Sequence, residues 1–533
     1  MMKYEIRICG DTAVMVFFNE ASEALSSENA RWLYYTLCGS KLADIADFTL
    51  TLNSVGVIYD SNMCTAAKMT RKLKGILSNG DKLKASAPRA GKGVRQISVC
   101  YLGEFAPDIE KAASALSVSV EQLIEKHTSE NLTVMAIDPK LGAYLSKDMI
   151  LADSPEEGAF ALENSVILGK ERTFIAPRDG VYNGYVIGKA VIDEDGEGEL
   201  KPGDRIRFTA VTENKMKKLD GRSVRTKYGQ TVEEREEPSE ICRITVRDFE
   251  IKPVLCTACR RGEAIPASGL PRALDELSAR EANMLVGNID ADGVVEIEDG
   301  AVFVFESDCV AAFTGADFTV ERDGVRVDRS KAVEIDAGDV VTVKKTDRGS
   351  RLYMAINGES ASVTETGDRE LLLEIADCGE LLDKMQKRVL APFSPEKTVE
   401  LRVIPGPFAD QYDLHALDVL YSGEYTVRCA TAESVGFDGS RIFPPGDLEY
   451  RAFAPAGLLG FDEKGLPVIE RTGGDLTSVK KGCAVVIEAD MTALAQLTPG
   501  TQVRFVPCTL QNAQKAASVQ RRAFIKNYLK MNL

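Results

Sequence analysis

Only two histidines occur in 533 residues, and that scarcity narrows the chemistry before any fold is considered. Acid–base work near neutral pH most often uses imidazole, which here means His127 or His415. His127 shares the apolar face of a helix with Val120, Leu123 and Ile124, behind the capping box Ser119-Val120-Glu121-Gln122. That position reads either as a buried, hydrogen-bonded histidine or as an acid–base group. His415 sits in an ordinary helix, and without a Gly-x-Ser-x-Gly elbow a Ser-His-Asp hydrolase is disfavoured. Asp317, closing Thr314-Gly315-Ala316-Asp317 after a strand, either orients an amide or accepts backbone amides in its own turn. The pair in Cys256-Thr257-Ala258-Cys259 has no second pair or histidine nearby. Zinc takes four ligands, so no metal site is expected. Gly473-Gly474 with Lys480 and Lys481 lacks the spacing of a phosphate-binding loop.

Those side chains need elements to hold them. Alternation and helical periodicity predict strands at Tyr4 to Ile8 and Thr12 to Phe18, a helix from Ala21 to Gly39, strands at Phe48 to Leu52 and Val55 to Tyr59, and a helix from Met63 to Leu77. This is an α+β layer over 1–88, ended by a Lys-, Ala-, Pro- and Gly-rich loop from Ser78 to Lys92. A second module, 92–211, opens with a strand from Arg95 to Tyr101 and two helices. It continues as strands joined at Asp179-Gly180 and Asn183-Gly184, where short hairpins need positive φ. From Thr212 to Pro238 the chain is dense in Lys, Arg and Glu, which predicts a solvated linker over 212–240. Two strand-rich lobes follow, 241–396 and 397–510, with a helical interlude near Arg369 to Leu390. The tail, 511–533, is basic and helical, and Phe524, Tyr528 and Leu529 on one face predict docking onto its own protein.

One element recurs. Lys201-Pro202-Gly203-Asp204 feeds the alternating Arg205-Ile206-Arg207-Phe208, and the pattern returns at Ala337-Gly338-Asp339 and at Thr498-Pro499-Gly500-Thr501. Fixed turn chemistry before a module's last strand predicts a barrel closing on itself, since closure removes the exposed edge. The fold class is therefore mainly β with an α+β cap.

Bulk properties exclude several roles. A composition of 44% hydrophobic and 27% charged residues buries enough surface to exclude wholesale disorder. A net charge of -16 repels phosphate backbones and anionic lipid, so neither nucleic acid nor membrane is an expected partner. No run reaches bilayer length, and the strand-like start lacks the apolar core of a signal peptide. Cysteines such as Cys100, Cys309 and Cys429 lie singly in apolar runs, as reduced core thiols do. A cytoplasmic protein is expected.

Gly10-Asp11 before an apolar strand, the run Cys100-Tyr101-Leu102-Gly103-Glu104-Phe105-Ala106-Pro107-Asp108 and the helix ending at His127 resemble the B component of 5-oxoprolinase, also called allophanate hydrolase subunit 1 or the Kip inhibitor family. The second half resembles the C component of 5-oxoprolinase, that is, allophanate hydrolase subunit 2 or the biotin-dependent carboxyltransferase-like Kip antagonists. The residues are Ser268-Gly269, Ala273-Leu274-Asp275, Ala282-Asn283-Met284-Leu285-Val286-Gly287-Asn288, Thr314-Gly315-Ala316-Asp317, Leu401-Arg402-Val403-Ile404-Pro405-Gly406-Pro407 and Ser422-Gly423-Glu424-Tyr425-Thr426-Val427. The matches run in family order through nearly the whole chain. The resemblance implies tandem cyclophilin-like β-barrels and ATP-dependent opening or carboxylation of a small cyclic amide or urea-like substrate. It also implies a separate A-type oxoprolinase subunit or a biotin carrier protein as partner, with ATP bound jointly with that partner and biotin carried only on it.

By the same resemblance, the substrate positions are Tyr144, Arg172 and Thr173 in the first half, and Ser268, Asp275, Asn283, Thr314, Arg471, Thr472 and Gly473 in the second; His127 and Asp317 are the catalytic candidates. The site loops depart from the family pattern. Its Gly-Phe-x-Pro-Gly-Phe-Pro-Tyr-Leu reads Ala136-Ile137-Asp138-Pro139-Lys140-Leu141-Gly142-Ala143-Tyr144-Leu145, and its Gly-Gly-Gln-Thr-Gly-Ile-Tyr-Pro reads Lys170-Glu171-Arg172-Thr173-Phe174-Ile175-Ala176-Pro177. In the second half Gln-Thr-Thr-Gly-Gly-Tyr-Pro-Lys becomes Arg471-Thr472-Gly473-Gly474-Asp475-Leu476. Glutamine holds a neutral amide from both sides, whereas arginine only donates and prefers an anion. Three readings follow: a fused enzyme component, a Kip-like regulator of a kinase, or a small-anion binding module through Arg172 and Arg471.

Overall fold

The computed structural model describes residues 2–40, 42–61, 63–79, 93–138, 142–145, 159–169, 173–176, 180–182, 184–191, 200–220, 241–258, 270–329, 331–358, 360–367, 369–376, 389–390, 398–444, 453–472, 474–475 and 480–532. Among them, no helix is long and apolar enough to cross a membrane.

The cap is a four-stranded antiparallel sheet in the order Tyr4–Ile8, Ala13–Phe18, Ser54–Tyr59, Ile45–Leu50. The run Ala-Val-Met-Val-Phe-Phe of its second strand is apolar on both sides because both sides are covered. Val14, Val16 and Phe18 pack under the helices Glu23–Cys38 and Ala66–Ser78, against Leu33, Leu37, Met69 and Leu73. Ala13 and Met15 point the other way, into Phe453, Leu458 and Val485 of the last lobe. The first residues of the chain thus pack on some of its last ones.

Seven of the next nine strands form a closed barrel in which Arg205–Ala210 pairs in parallel with Val94–Cys100, from Arg205↔Val94 to Ala210↔Val99. The final lobe closes in the same way, with Gln502–Pro507 parallel to Thr398–Pro405, from Thr398↔Gln502 to Val403↔Pro507. The lobe between them is two packed sheets, of seven and five strands, around a core that includes Ile244, Phe303, Phe313 and Leu373.

The recurring turn has one geometry in all three places. Gly203, Gly338 and Gly500 have φ of 97°, 97° and 89°, a region that side chains disfavour. Each glycine N–H donates to a strand carbonyl, of Val134, Phe305 and Val427 respectively, at 2.6, 2.8 and 2.8 Å. The residue after it donates three positions back, to Lys201, Asp336 and Thr498, at 3.0, 3.0 and 3.1 Å. Two copies start the closing strands of barrels, and the third starts Val340–Lys344, inside the open seven-stranded sheet.

Four expectations need correction, the last of them in the C-terminal helix. The segment expected to be a linker begins with a helix, Glu213–Asp220, because Val211 and Met216 bury against Cys100; the rest of that segment, from 221 to 240, lies outside the described residues. The expected helical interlude contains the strand Glu370–Ala376, since Leu371, Leu373 and Ile375 alternate inward with period two; residues 377–388 lie outside the described residues. Cys429 is exposed while Cys100 and Cys309 are buried. A register shift between Val427 and Cys429 reverses the alternation that would have turned its thiol inward.

The helix Leu510–Asn532 lies on its own protein through Ala513, Ala517 and Phe524, with the Arg280 guanidinium over the Phe524 ring at 4.0 Å; Tyr528 and Leu529, expected on the docked face, are instead 46% and 52% exposed, because they fall a turn beyond the part of the helix that the protein covers.

Candidate functional site

The cap, the middle lobe and the last barrel meet at a cavity of about 70 Å³. Its walls include Gly10, Asp11 and Thr12 from the first hairpin turn, Glu276 and Arg280 from the helix Glu276–Val286, and Glu488 and Thr492 from the end of the last barrel.

Backbone geometry puts Asp11 there. Gly10 has φ of 95°, and a Cβ on it would sit 3.1 Å from a methyl carbon of Val485, so the turn approaches the barrel as only glycine allows. The Glu488 N–H then donates to Asp11 Oδ1 and Oδ2 at 3.1 and 3.3 Å, and the Tyr59 hydroxyl donates to the Asp11 carbonyl at 2.9 Å. Asp11 is 2% exposed. Burial first, and then the neighbouring Glu488 carboxylate, push its carboxyl up to about 7. Glu488 itself accepts from the Ser61 hydroxyl at 3.1 Å and pairs with Arg521 of the last helix at 3.6 Å. Asp490 holds Arg402, which donates from both Nε and Nη2.

Behind the cavity a buried polar network locks the two lobes of the second half together. Asp275 caps the helix Glu276–Val286, accepting from the Ser278 N–H at 3.2 Å and the Ser278 hydroxyl at 2.7 Å. Gln496 Nε2 donates to the same carboxylate at 2.9 Å and to the Arg351 carbonyl at 3.0 Å, while Gln496 Oε1 accepts from the N–H groups of Ser350 and Arg351 at 3.0 and 3.1 Å. The Asp275 N–H donates to the Tyr353 hydroxyl at 2.8 Å, which donates to Glu296 at 2.7 Å, and Glu296 and Glu298 pair with Arg351 at 3.0 Å each. Burial raises the Asp275 carboxyl above its ordinary range, against the hydrogen bonds from Gln496 and Ser278.

The positions expected from sequence divide into three groups. Asp275, Thr314 and Arg471 come together around this network. The Thr314 hydroxyl donates to the Ser278 carbonyl at 2.6 Å. Arg471, fully buried, donates to the carbonyls of Thr431 at 2.7 Å, Leu494 at 3.0 Å and Leu497 at 3.3 Å. Burial, and then the Arg351 charge, lower its guanidinium to about 9. Thr472 follows it with a hydroxyl that is buried without a partner among the described residues.

His127, Thr173, Asn283 and Asp317 lie away from the cavity's walls. His127 is buried in the first barrel, its Nδ1 2.7 Å from the Tyr101 hydroxyl and its Nε2 3.4 Å from the Thr173 hydroxyl, and its ring stacks on Phe208 at 4.7 Å. Asn283 donates to the carbonyls of Ile289 and Asp292 at 3.0 and 3.1 Å, which fixes the loop after its helix. Asp317 pairs with Arg329 and, at 2.9 Å, with Arg348. Arg172, Ser268 and Gly473 lie outside the described residues, as does Cys259; Tyr144 is placed by its strand alone, paired with Phe174.

Glu488, Gln496, Arg351 and Arg280 carry no motif that would single them out in the sequence. Asp11 is marked in the sequence only by the family resemblance at Gly10-Asp11. The one local signal was the pair Gly10-Asp11 in a turn too tight for most residues.

Chemically, the cavity offers carboxylates that accept N–H groups, hydroxyls that donate or accept, and one carboxyl, Asp11, able to exchange a proton near neutral pH. No group of three or more metal-ligating side chains occurs among the described residues.

Comparison with known proteins gives a consistent picture. Residues 4–181 match the carboxyltransferase domain, subdomains C and D, and residues 264–507 match its subdomains A and B. The C component of 5-oxoprolinase from Escherichia coli (strain K12) is 27% identical over 270 residues, 47% of this chain and 87% of that protein. The B component of 5-oxoprolinase from Bacillus subtilis (strain 168) is 25% identical over 236 residues, 40% of this chain and 95% of that protein. The crystal structure of TTHA0988 superposes with a TM-score of 0.69 at 22% identity, covering 93% of this chain and 99% of that one, and so shares the fold.

Proposed function

Because the chain belongs to the carboxyltransferase domain family and joins a half similar to the oxoprolinase B component to a half similar to the C component, we propose that it is the fused B and C part of an ATP-dependent amidohydrolase. It acts with a separate A-type subunit on a small cyclic amide or urea-like substrate. The observation that carries this reading is the cavity built from both halves, Asp11 from the first and Glu276 and Glu488 from the second. Joining two chains in one polypeptide keeps such a shared site at high effective concentration.

The lining suits a small ligand that bears N–H groups, because its carboxylates accept from an amide or urea nitrogen, while Arg280 in the same wall can meet a carboxylate such as that of 5-oxoproline. The residues present do not fit ATP there: the space holds a few water molecules, and its carboxylates oppose a triphosphate. The nucleotide is accordingly assigned to the partner, as is biotin if a carrier protein takes the A-type subunit's place. Arg471 gives the anion-binding reading no support, because its guanidinium faces backbone carbonyls.

The test is to mix the purified chain with an A-type subunit and follow ATP hydrolysis with and without 5-oxoproline. Stimulation by 5-oxoproline supports the reading. Its absence, beside an active control pair of separate B and C components, removes it for that substrate.

A further inference from the structure

The last helix carries a second face that no described residue covers. Leu510–Asn532 contains Lys515, Arg521, Arg522, Lys526 and Lys530 and no acid, in a chain with 81 acidic and 65 basic residues. Ala513, Ala517 and Phe524 face inward, and Arg521 turns in to Glu488. Lys515, Val519, Arg522, Lys526 and Lys530 recur at spacings of four and three, which puts them on one outward stripe, and all are exposed. Val519 is 58% exposed, and Ile525 and Leu529 beside the stripe are 48% and 52% exposed. The stripe runs into a groove of about 850 Å³ between the helix and the closing strand of the last barrel, bordered by Arg402, Val506, Cys508, Lys515 and Val519, with no acidic residue in its lining among the described residues.

We propose that this groove and stripe are where the separate A-type partner docks, through an acidic, amphipathic segment laid along the helix. The assignment of the surface to that partner rests on the function proposed above; the surface itself rests on the segregation of charge. A helical partner face with acids flanking an apolar line would pair with Lys515, Arg522 and Lys526 and cover Val519. A second copy of this chain is disfavoured, because a twofold contact would lay the basic stripe against itself. Anionic lipid and nucleic acid are extended polyanions that would also meet the acidic remainder of the chain, whose net charge is -16, whereas a short acidic segment meets the basic stripe alone.

The experiment measures binding of the purified A-type subunit to the full chain by sedimentation velocity, for wild type, the triple variant K515E/R522E/K526E and, separately, Val519→Glu. Because these side chains are exposed, thermal melts should match wild type, and that control shows that the helix is in place. The expected result is at least a tenfold loss of affinity in the triple variant, a smaller loss with Val519→Glu, and wild-type binding that weakens as salt rises from about 50 to about 300 mM. Unchanged affinity in the triple variant overturns the proposal, as does wild-type binding of phosphatidylserine vesicles in place of the A-type partner. Substrate-dependent ATP hydrolysis is read in the same samples. Activity with binding unaffected by the charge reversal removes the docking surface and leaves the function. Binding lost on charge reversal without any such activity removes the function and leaves the surface.

Discussion

Gln496 Nε2 donates to the Asp275 carboxylate at 2.9 Å, joining residues 221 positions apart and tying the last barrel to the helix that walls the cavity. The same amide accepts from the backbone of Ser350 and Arg351, so both ends of the side chain are fully used. Gln496→Leu fits roughly the same space and leaves two buried N–H groups unpaired, with Asp275 short of a donor. It should cost about 3 kcal/mol, read as a lowered urea midpoint of the intact chain. A midpoint equal to wild type would mean that the lobes do not depend on this clasp.

Gly10→Ala should destabilise more than Gly324→Ala. Both glycines have positive φ, 95° and 79°, and both substitutions bear the strain of about 1–2 kcal/mol that a side chain meets there. Only at Gly10 does the new Cβ also press on Val485, at 3.1 Å, while at Gly324 nothing lies within 4 Å. Equal losses in paired denaturation curves would show that the close approach of turn and barrel contributes nothing.

Asp11→Asn should change how stability depends on pH. The folded chain holds the Asp11 proton up to about 7, whereas an unfolded carboxyl releases it near 4. Between those values the folded state binds more protons than the unfolded state, so this carboxyl costs stability as pH rises through the window. Asparagine keeps an acceptor for the Glu488 N–H and removes the titration. The variant should gain on wild type between about pH 4 and about pH 7.5, on the order of 2–4 kcal/mol. Parallel curves for the two proteins would place Asp11 in a more polar setting than the cavity.

Much of the fold could be read from the chain because it rests on local pattern. The turn glycines at 203, 338 and 500 and the alternating strands after them need only neighbours in sequence, and so does the capped helix that carries His127. What could not be read depends on long-range contact. Nothing near Gln496 marks it as the partner of Asp275, and nothing near Glu488 announces Asp11. The alternation in Glu370–Ala376 was present but obscured by helix-forming Leu and Glu, which tertiary pairing overrides. The exposure of Cys429 is not legible in the sequence, because a one-residue register shift leaves no mark in composition.

Arg471→Gln distinguishes a structural guanidinium from an anion site. The side chain spans the carbonyls of Thr431, Leu494 and Leu497, and glutamine cannot reach all three. The loss should be about 2–3 kcal/mol of stability, with the affinity of the folded chain for acetate or phosphate unchanged by titration calorimetry. Weakened anion binding at unchanged stability would restore the anion site.

The most direct measurement is the substrate-stimulated ATP hydrolysis of the reconstituted pair with Asp11→Asn in place of wild type. If the cavity between the two halves is where the amide reacts, removing its exchangeable proton should lower kcat by about a hundredfold or more while the A-type partner still binds. Wild-type turnover by Asp11→Asn would contradict it and place the chemistry elsewhere in the chain.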